Sequence, residues 1–469
     1  MKLKVCGAAR EVTGSCYSLE TKKEKVLVDC GFFQGGKDNE RKNYEDFPFD
    51  PSTYSALVLT HAHLDHCGRI PRLVKNGFRG KIFATDATRE LAYIIMMDTV
   101  KISIQDTEDE NRRRIRQGLS PRKPIYSAVD VKRTMDLFID VKYNDKFEVT
   151  KNVSAMFFDA GHILGAASVK LIVKEGNKTK RIVFSGDLGQ SDSVLVREAY
   201  DLKQTDYVVI ESTYGDRLHP PTTERRDEFL RVIRETYKRG GKLLIPSFAV
   251  ERAQELLYYL GDFFQEGLIP KMKVFLDSPM AMNATAVFAK YNRYYNQNVQ
   301  EEINQRKKIP GRKEIFHFPE LILTRTAKES IKINSIKEPC IIIAGNGMCT
   351  AGRIKHHIRN NIEDPKTTLL FVGYQAKGTL GYWIKAKEKR VRLHGVKVSV
   401  KANIESIDGF SAHADYTELI DWLDSFRNKP KKIIITHGEE EQAKAFQKRL
   451  KKLGYVSYIP ELYENIELL

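Results

Sequence analysis

Five of the eleven histidines in this 469-residue chain fall in three short segments, and their spacing suits a pair of metal ions. THAHLDHCG at 60–68 puts His61, His63, Asp65 and His66 side by side, directly after the apolar run Ala56-Leu57-Val58-Leu59. His162 in DAGHILGA, Asp187 in FSGDLG and His437 in THGEE each follow a further apolar run of β type. Residues i and i+2 of an extended segment face the same way, so His61 and His63 can reach one ion together. Asp65 and His66 enter the turn before a helix expected from Gly68 to Lys75, stopped near Gly77, and can face a second ion. Zinc takes imidazole and carboxylate donors at about 2 Å and usually fills about four positions. Seven donors therefore suit two metals better than one. The histidine-rich set favours zinc, and the chemistry expected of it is hydrolysis.

The elements that must carry these groups are strands. KVLVDCG, SALVLT, KIFATD, VSAMFFDAG, SVKLIVKEG, KRIVFSGD and YVVIEST read as strands with turn residues between them. Six apolar runs end in a candidate functional residue: Asp29, His61, His162, Asp187, Glu211 and His437. Groups at strand ends, on loops held by a sheet, are positioned rigidly. From about 213 to 396 the pattern changes to continuous apolar strands (LLIPSF, VFLDSP, CIIIAG, LLFVGY) alternating with helix-like stretches such as RAQELLYYLGDFF. That alternation implies a parallel sheet with helices on its faces. Because His437 lies beyond it, one domain of residues 1–212 and 397–469 is expected, with residues 213–396 inserted. Arg306 to Lys313, containing Pro310 and Gly311, is expected to be an exposed loop.

The formal charge is +16, from 77 basic and 61 acidic residues. Such a surplus favours a polyanionic partner. Basic clusters stand at Arg112-Arg113-Arg114, at Arg306-Lys307-Lys308, from Lys385 to Arg392 and from Lys448 to Lys452, the last offset by Glu439, Glu440 and Glu441. Each alone reads as a solvated face; the sum points to nucleic acid. No apolar run approaches the roughly 18 residues of a membrane span, and the start MKLKVCGAAREVTG reads as strand and turn, not as a signal peptide. Six cysteines without a CxxC pair fit a reducing cytoplasm. Cys67, beside His66, reads as a small buried thiol.

With these residues in hand, the chain resembles the metallo-β-lactamase superfamily, and within it the β-CASP nucleases. HxHxDH marks the superfamily, and Asp29, His162 and Asp187 match its other metal-site motifs. Glu211 in ESTYGDR, His413 in FSAHADY, His437 in THGEE and the segment PSFAVERAQELLYYL carry the β-CASP likeness, which covers essentially the whole chain. The pattern is similar to short prokaryotic RNA-processing members and to the nuclease subunit of the pre-mRNA 3′-end cleavage machinery. The resemblance implies an α/β fold: an αββα sandwich with an inserted parallel α/β domain.

It also implies zinc-dependent hydrolysis of phosphodiester bonds in single-stranded RNA, in RNA processing or decay, leaving 5′-phosphate and 3′-hydroxyl ends. Endonucleolytic cutting is expected, with 5′→3′ exonucleolytic action also open. His437 stands where DNA-acting members tend to carry valine, which favours RNA. A DNA nuclease is the alternative, and a small-molecule ester or thioester hydrolase a more distant one. A non-enzymatic scaffold is argued against by the filled ligand positions. Neither a KH-like N-terminal extension nor a long C-terminal domain of the RNase J kind is found, and a homodimer is one assembly left open.

On this resemblance His61, His63 and His162 hold one zinc, and Asp65, His66 and His437 the other, with Asp187 bridging. Asp65 also orients the nucleophile. His413 is the expected general acid, with Glu211 raising its pKa and fixing its tautomer; the other reading of His413 is a helix cap, between Ser411 and Asp415. Asp29 is expected to accept a hydrogen bond from a ligating histidine. Gly345, Asn346 and Gly347, in a turn between strand and helix, could present N–H groups to a phosphate or simply make a tight turn. Ser247 and Arg252 could face RNA. His219, His317, His356, His357 and His394 are background, unless His356 or His357 approaches a phosphate.

Overall fold

Alternating burial along Lys2–Val5, with Leu3 and Val5 inside, sets the inner face of a sheet, and both of its neighbours obey the same register. The computed structural model describes residues 1–220, 222–306, 314–373, 375 and 378–469. Of the loop expected at 306–313 only Arg306 is among them, ending the helix Gln297–Arg306 and paired with Asp262 and Glu302. Lys307, Lys308 and the rest of that expected loop lie outside the described residues. The chain divides into two compact units. One comprises Met1–Ser191, Arg197–Leu218 and His413–Leu469; the other comprises Asp192–Val196 and His219–Ala412.

The first unit holds two seven-stranded sheets. One runs Asn465–Glu467, Lys2–Val5, Tyr17–Glu20, Lys25–Val28, Ala56–Val58, Lys81–Ala84, Phe138–Asp140 in spatial order. The other runs Ser457–Tyr458, Lys432–Ile435, Tyr207–Ile210, Lys178–Phe184, Ala167–Glu175, Val153–Asp159, Lys146–Glu148. Val26, Val28 and Val58 from the first share one core with Phe157, Val169, Leu171, Phe184 and Val209 from the second. Because side chains alternate along a strand, Leu27 and Leu57, also fully buried, lie on the opposite face of their sheet. Helices include Ile70–Lys75 and Asp86–Arg116 after strands of one sheet, and Tyr416–Asp424 and Glu440–Lys452 flanking Lys432–Ile435 of the other. This is the expected αββα sandwich. The helix expected from Gly68 begins two residues later, at Ile70, after the short helix Leu64–Cys67.

The second unit is built on a six-stranded sheet whose strands, among the described residues, all pair in parallel, in the order Leu321–Leu323, Lys273–Leu276, Cys340–Ala344, Leu243–Pro246, Thr368–Phe371, Asn403–Ser406. Its central strands are buried on both faces, as covering helices require. Here the sequence expectation needs correcting. Asn403–Ser406 pairs in parallel with Thr368–Phe371, and Val398 and Ala402 pack into this unit's core. The chain therefore rejoins the first unit at His413, not at 397, and leaves it after Leu218, not 212. Among the described residues no helix is long and apolar enough to cross a membrane.

Candidate metal centre

Every donor named from the sequence arrives in the first unit, either just past the end of a strand or in the short helix Leu64–Cys67 that follows one. Ala56–Val58 leads through Leu59 and Thr60 to His61, and the helix Leu64–Cys67 starts directly after His63. Val153–Asp159, Lys178–Phe184, Tyr207–Ile210 and Lys432–Ile435 deliver His162, Asp187, Glu211 and His437. Two of the turns force non-glycine residues into the left-handed region, Asp29 at φ 58° and His437 at φ 47°. Such conformations persist where the surroundings hold them. Here Asp29 N–H donates to the Val58 carbonyl at 3.0 Å, and His437 N–H to that of Ala8 at 2.8 Å. The backbones crowd so closely that a Cβ on Gly31 would stand 1.5 Å from the Asp65 carbonyl oxygen.

The side chains converge in two sets. In the first, His63 Nδ1 lies 3.2 Å from His61 Nε2 and 3.0 Å from His162 Nε2. Asp187 Oδ2 stands 3.4 Å from His61 Nε2 and 3.6 Å from His162 Nε2. In the second, His437 Nε2 lies 3.3 Å from His66 Nε2 and 3.2 Å from Asp65 Oδ2. Asp187 Oδ1 is 3.3 Å from His66 Nε2. Four ligands placed tetrahedrally about 2.0–2.1 Å from a zinc ion stand about 3.3–3.4 Å from one another. The observed spacings cluster round the edge of that tetrahedron, so the donor set fits a divalent ion in each half. Asp187 turns one oxygen to each set, and its buried Oδ1 has no hydrogen-bond partner among the described residues. A cation would satisfy it.

Electrostatics point the same way. Burial pushes the imidazole of His61 down to about 3 and that of His63 to about 4, and holds His162 well below its ordinary value. All three are neutral, the form that ligates metal. Burial works against charge on His66 too, but Asp187 and Asp29 outweigh it and raise its pKa. On Asp187 burial opposes ionisation, yet the neighbouring His437, His66 and His61 hold its carboxyl well below the usual range. Asp65 is likewise held down against burial, by its hydrogen bond with His437 and by His66.

A further ring of contacts fixes the imidazoles. Asp29 Oδ2 lies 2.8 Å from His66 Nδ1, which leaves Nε2 turned to the site. Thr60 donates its N–H to Asp29 Oδ1 and its hydroxyl to Oδ2, both at 2.8 Å, and its Oγ1 is 3.1 Å from His61 Nδ1. Thr213 Oγ1 stands 3.1 Å from His437 Nδ1. Asp29 thus touches a histidine as the sequence led one to expect, whereas Thr60 and Thr213 were missed. Their only sequence signal is proximity to strand-end residues: Thr60 directly precedes His61, and Thr213 follows Glu211 by two.

Beside the two sets, Glu211 places both carboxylate oxygens 3.2 Å from His413 Nδ1, and Asp187 Oδ2 is 4.0 Å from the same nitrogen. Burial alone would neutralise His413; Glu211 beside it raises its pKa to about 9, so the ring is protonated at neutral pH. The helix cap is Asp415, reciprocally bonded with Glu418, and not His413.

In the second unit the structure corrects two expectations. Ser247 is 2% exposed and donates its hydroxyl to the Phe248 carbonyl. Arg252 is buried, paired with Glu255 and stacked over Phe410. Neither offers a free group to RNA. In the turn at Gly345, Asn346 and Gly347, the Asn346 N–H donates to the Ala351 carbonyl and Asn346 Oδ1 accepts from Thr350 N–H, which favours the tight-turn reading. His357 is buried against Asp277 at 2.6 Å, and His356 stacks on His394. Cys67 is a fully buried thiol whose pKa burial raises.

Comparison with known proteins agrees with this geometry. Residues 9–118 match the metallo-beta-lactamase superfamily, 253–384 the Beta-Casp domain and 397–460 a Zn-dependent metallo-hydrolase RNA specificity domain. Ribonuclease TTHA0252 of Thermus thermophilus is 37% identical over 454 residues, which cover 97% of each chain. Transcription termination factor FttA of Methanocaldococcus jannaschii is 31% identical over 98% of this chain and 70% of its own. An RNase J-like protein of the same organism is 31% identical over 98% of this chain and 97% of its own. A crystal structure of a protein of unknown function from Enterococcus faecalis V583 shares the fold, with a TM-score of 0.55 at 13% identity over 100% of this chain and 99% of that one. The chain belongs to the β-CASP family of the metallo-β-lactamase superfamily.

Proposed function

We propose that this protein is a metal-dependent ribonuclease that hydrolyses phosphodiester bonds of single-stranded RNA, with two zinc ions per chain. The observation that carries the reading is Asp187, whose two oxygens each face a separate set of imidazole donors. His61, His63 and His162 would hold one ion, Asp65, His66 and His437 the other. Metal ions bound there supply Lewis acidity and lower the pKa of water so that a nucleophile exists at neutral pH. The chain's own residues do the rest. Asp65, ionised and only partly exposed, accepts a hydrogen bond from the attacking water and turns its lone pair to phosphorus. As the bond from phosphorus to the 3′ oxygen breaks, protonated His413 gives that oxygen its proton. Glu211 holds the imidazole and keeps it charged until then. The products carry 5′-phosphate and 3′-hydroxyl ends.

Endonucleolytic cutting is the primary mode proposed, with 5′→3′ trimming as a second. All six cysteines are free and buried, which supports the reducing cytoplasm as its compartment. Homodimerisation is compatible with this reading and is tested by light scattering. The decisive experiment gives one preparation labelled single-stranded RNA, DNA of the same sequence and a nitrophenyl ester, with metal content measured in parallel. RNA cleavage with about two zinc ions per chain is the expected result. Preferential hydrolysis of the ester or of DNA would overturn it.

A further inference from the structure

Between Asn111 and Ser127 the chain carries Arg112, Arg113, Arg114, Arg116, Arg122 and Lys123 and no acidic residue. This segment is the far end of the 31-residue helix Asp86–Arg116 and the turn that follows it. The helix is seated by its first two thirds: its buried positions run from Ala87 to Thr107, and the turns beyond Thr107 bury nothing fully. The tip is nevertheless built. Asn111 clamps the returning chain by bonding both the N–H and the carbonyl of Arg122, and Arg114 Nε donates to the Ser120 carbonyl at 2.8 Å. Arg112 pairs with Asp109 and Arg122 with Glu110. Arg113, Arg116 and Lys123 are exposed and enter no ion pair among the described residues.

The other end of the same helix lies beside the metal centre. Its cap, Thr85, donates to the carbonyl of Gly165 at 2.8 Å, as does Thr88, and Gly165 follows His162 by three residues. A straight helix of that length spans about 46 Å. The helix, with the turn that Asn111 clamps to it, therefore sets three cations free of ion pairs at a fixed distance from the site of cleavage.

We propose that this basic tip is a remote anchor for the backbone of the RNA substrate, engaging phosphates well away from the bond that is cut. The proposal rests on the ribonuclease reading for the identity of the strand. A strand stacked at about 3.4 Å per nucleotide needs roughly 13 nucleotides to span the helix. Affinity should therefore rise with RNA length in a step: RNAs too short to reach the tip forgo it, and longer ones gain it.

The test is the triple variant R113Q/R116Q/K123Q of the full chain, with K22Q/K23Q/K178Q at exposed positions elsewhere as the control for the same lost charge. The first readout is binding of a phosphorothioate-protected RNA of about 30 nucleotides by fluorescence anisotropy, which needs no turnover. Loss of three phosphate contacts should weaken binding at low salt at least roughly tenfold and flatten the slope of log K against log salt by about 2, at about 0.7 per contact. The second readout is the ratio of kcat/KM on RNAs of about 30 and about 6 nucleotides, which should fall at least roughly tenfold in the variant and stay put in the control. Equal affinity and equal salt slope in variant and wild type would overturn the anchor, and assign the tip to another polyanion such as an acidic protein. An anchor that binds RNA in a chain that cuts none would keep this proposal and sink the ribonuclease reading.

Discussion

Glu211 and His413, 202 residues apart in the chain, meet with both carboxylate oxygens 3.2 Å from one imidazole nitrogen. Glu211 also accepts the N–H of Leu188 at 2.6 Å, so the carboxylate is fixed before it fixes the histidine. Its effect on the proton of His413 is electrostatic, and an amide would keep the shape and lose the charge. Glu211→Gln should therefore lower kcat by roughly 10²–10⁴-fold, the span of general acid–base help, with metal content nearly unchanged. Metal loss on the scale of a ligand deletion would show Glu211 to be a donor or a structural prop instead.

His63 sits at the middle of the first set, within 3.2 Å of both His61 and His162. His63→Ala removes the donor that both neighbours face, and the expected outcome is loss of metal together with activity. Mass spectrometry under native conditions and elemental analysis would check it. A fully loaded, active variant would refute the ligand assignment.

Thr60 acts only through others. Its hydroxyl bonds Asp29 and lies against His61, while its N–H holds Asp29 independently. Thr60→Val keeps the volume and the N–H and deletes the hydroxyl alone. Groups that orient metal-ligating histidines typically affect metal affinity by about 10–100-fold, so competition against a chelator should show a loss in that range. An unchanged affinity would reduce Thr60 to packing.

The donors were legible because a strand end followed by His or Asp is a rare and chemically loaded pattern, and four such strand ends supplying seven donors in one chain leave few readings. Thr60 and Thr213 were not, since threonine is common at strand ends and its partner is decided by tertiary placement. Arg252 misled for a local reason. A basic residue at a helix start suits a phosphate, but Glu255 stands three positions on, on the same helical face, and takes the guanidinium inward. The return of the chain at His413 was hidden as well. Short strands such as Asn403–Ser406 carry no mark of which sheet they will join, and pairing with Thr368–Phe371 decided it.

Asp277, fully buried in the second unit, accepts from Ser330 and Arg353 and lies 2.6 Å from His357 Nε2. Burial opposes its charge, but these partners lower its pKa below the ordinary value. A carboxyl depressed on folding contributes stability above its unfolded pKa of about 4, and loses it as pH falls through the folded value. Calorimetry should show wild type destabilising progressively below about pH 4. Asp277→Asn should cost about 3 kcal/mol or more at neutral pH, because Arg353 loses its counter-charge. It should also flatten the acid limb. An acid limb as steep in the variant as in wild type would place the titrating group elsewhere.

Binding of RNA should weaken steeply with salt, because each neutralised phosphate releases condensed counterions, with a slope of about 0.7 per contact on single strands. The net charge of +16 makes that a strong term. It is also blind to sugar chemistry, so it attracts DNA as well. Discrimination has to come from the 2′-hydroxyl or the sugar pucker at the site of cleavage, and so should appear in the rate at bound substrate more than in affinity. The check is kcat and KM on matched single-stranded RNA and DNA at two ionic strengths. The expected result is a KM that rises with salt for both, and a kcat that falls sharply only for DNA. Equal kcat on the two would put a DNA nuclease first, and a KM indifferent to salt would remove the case for a polyanionic substrate.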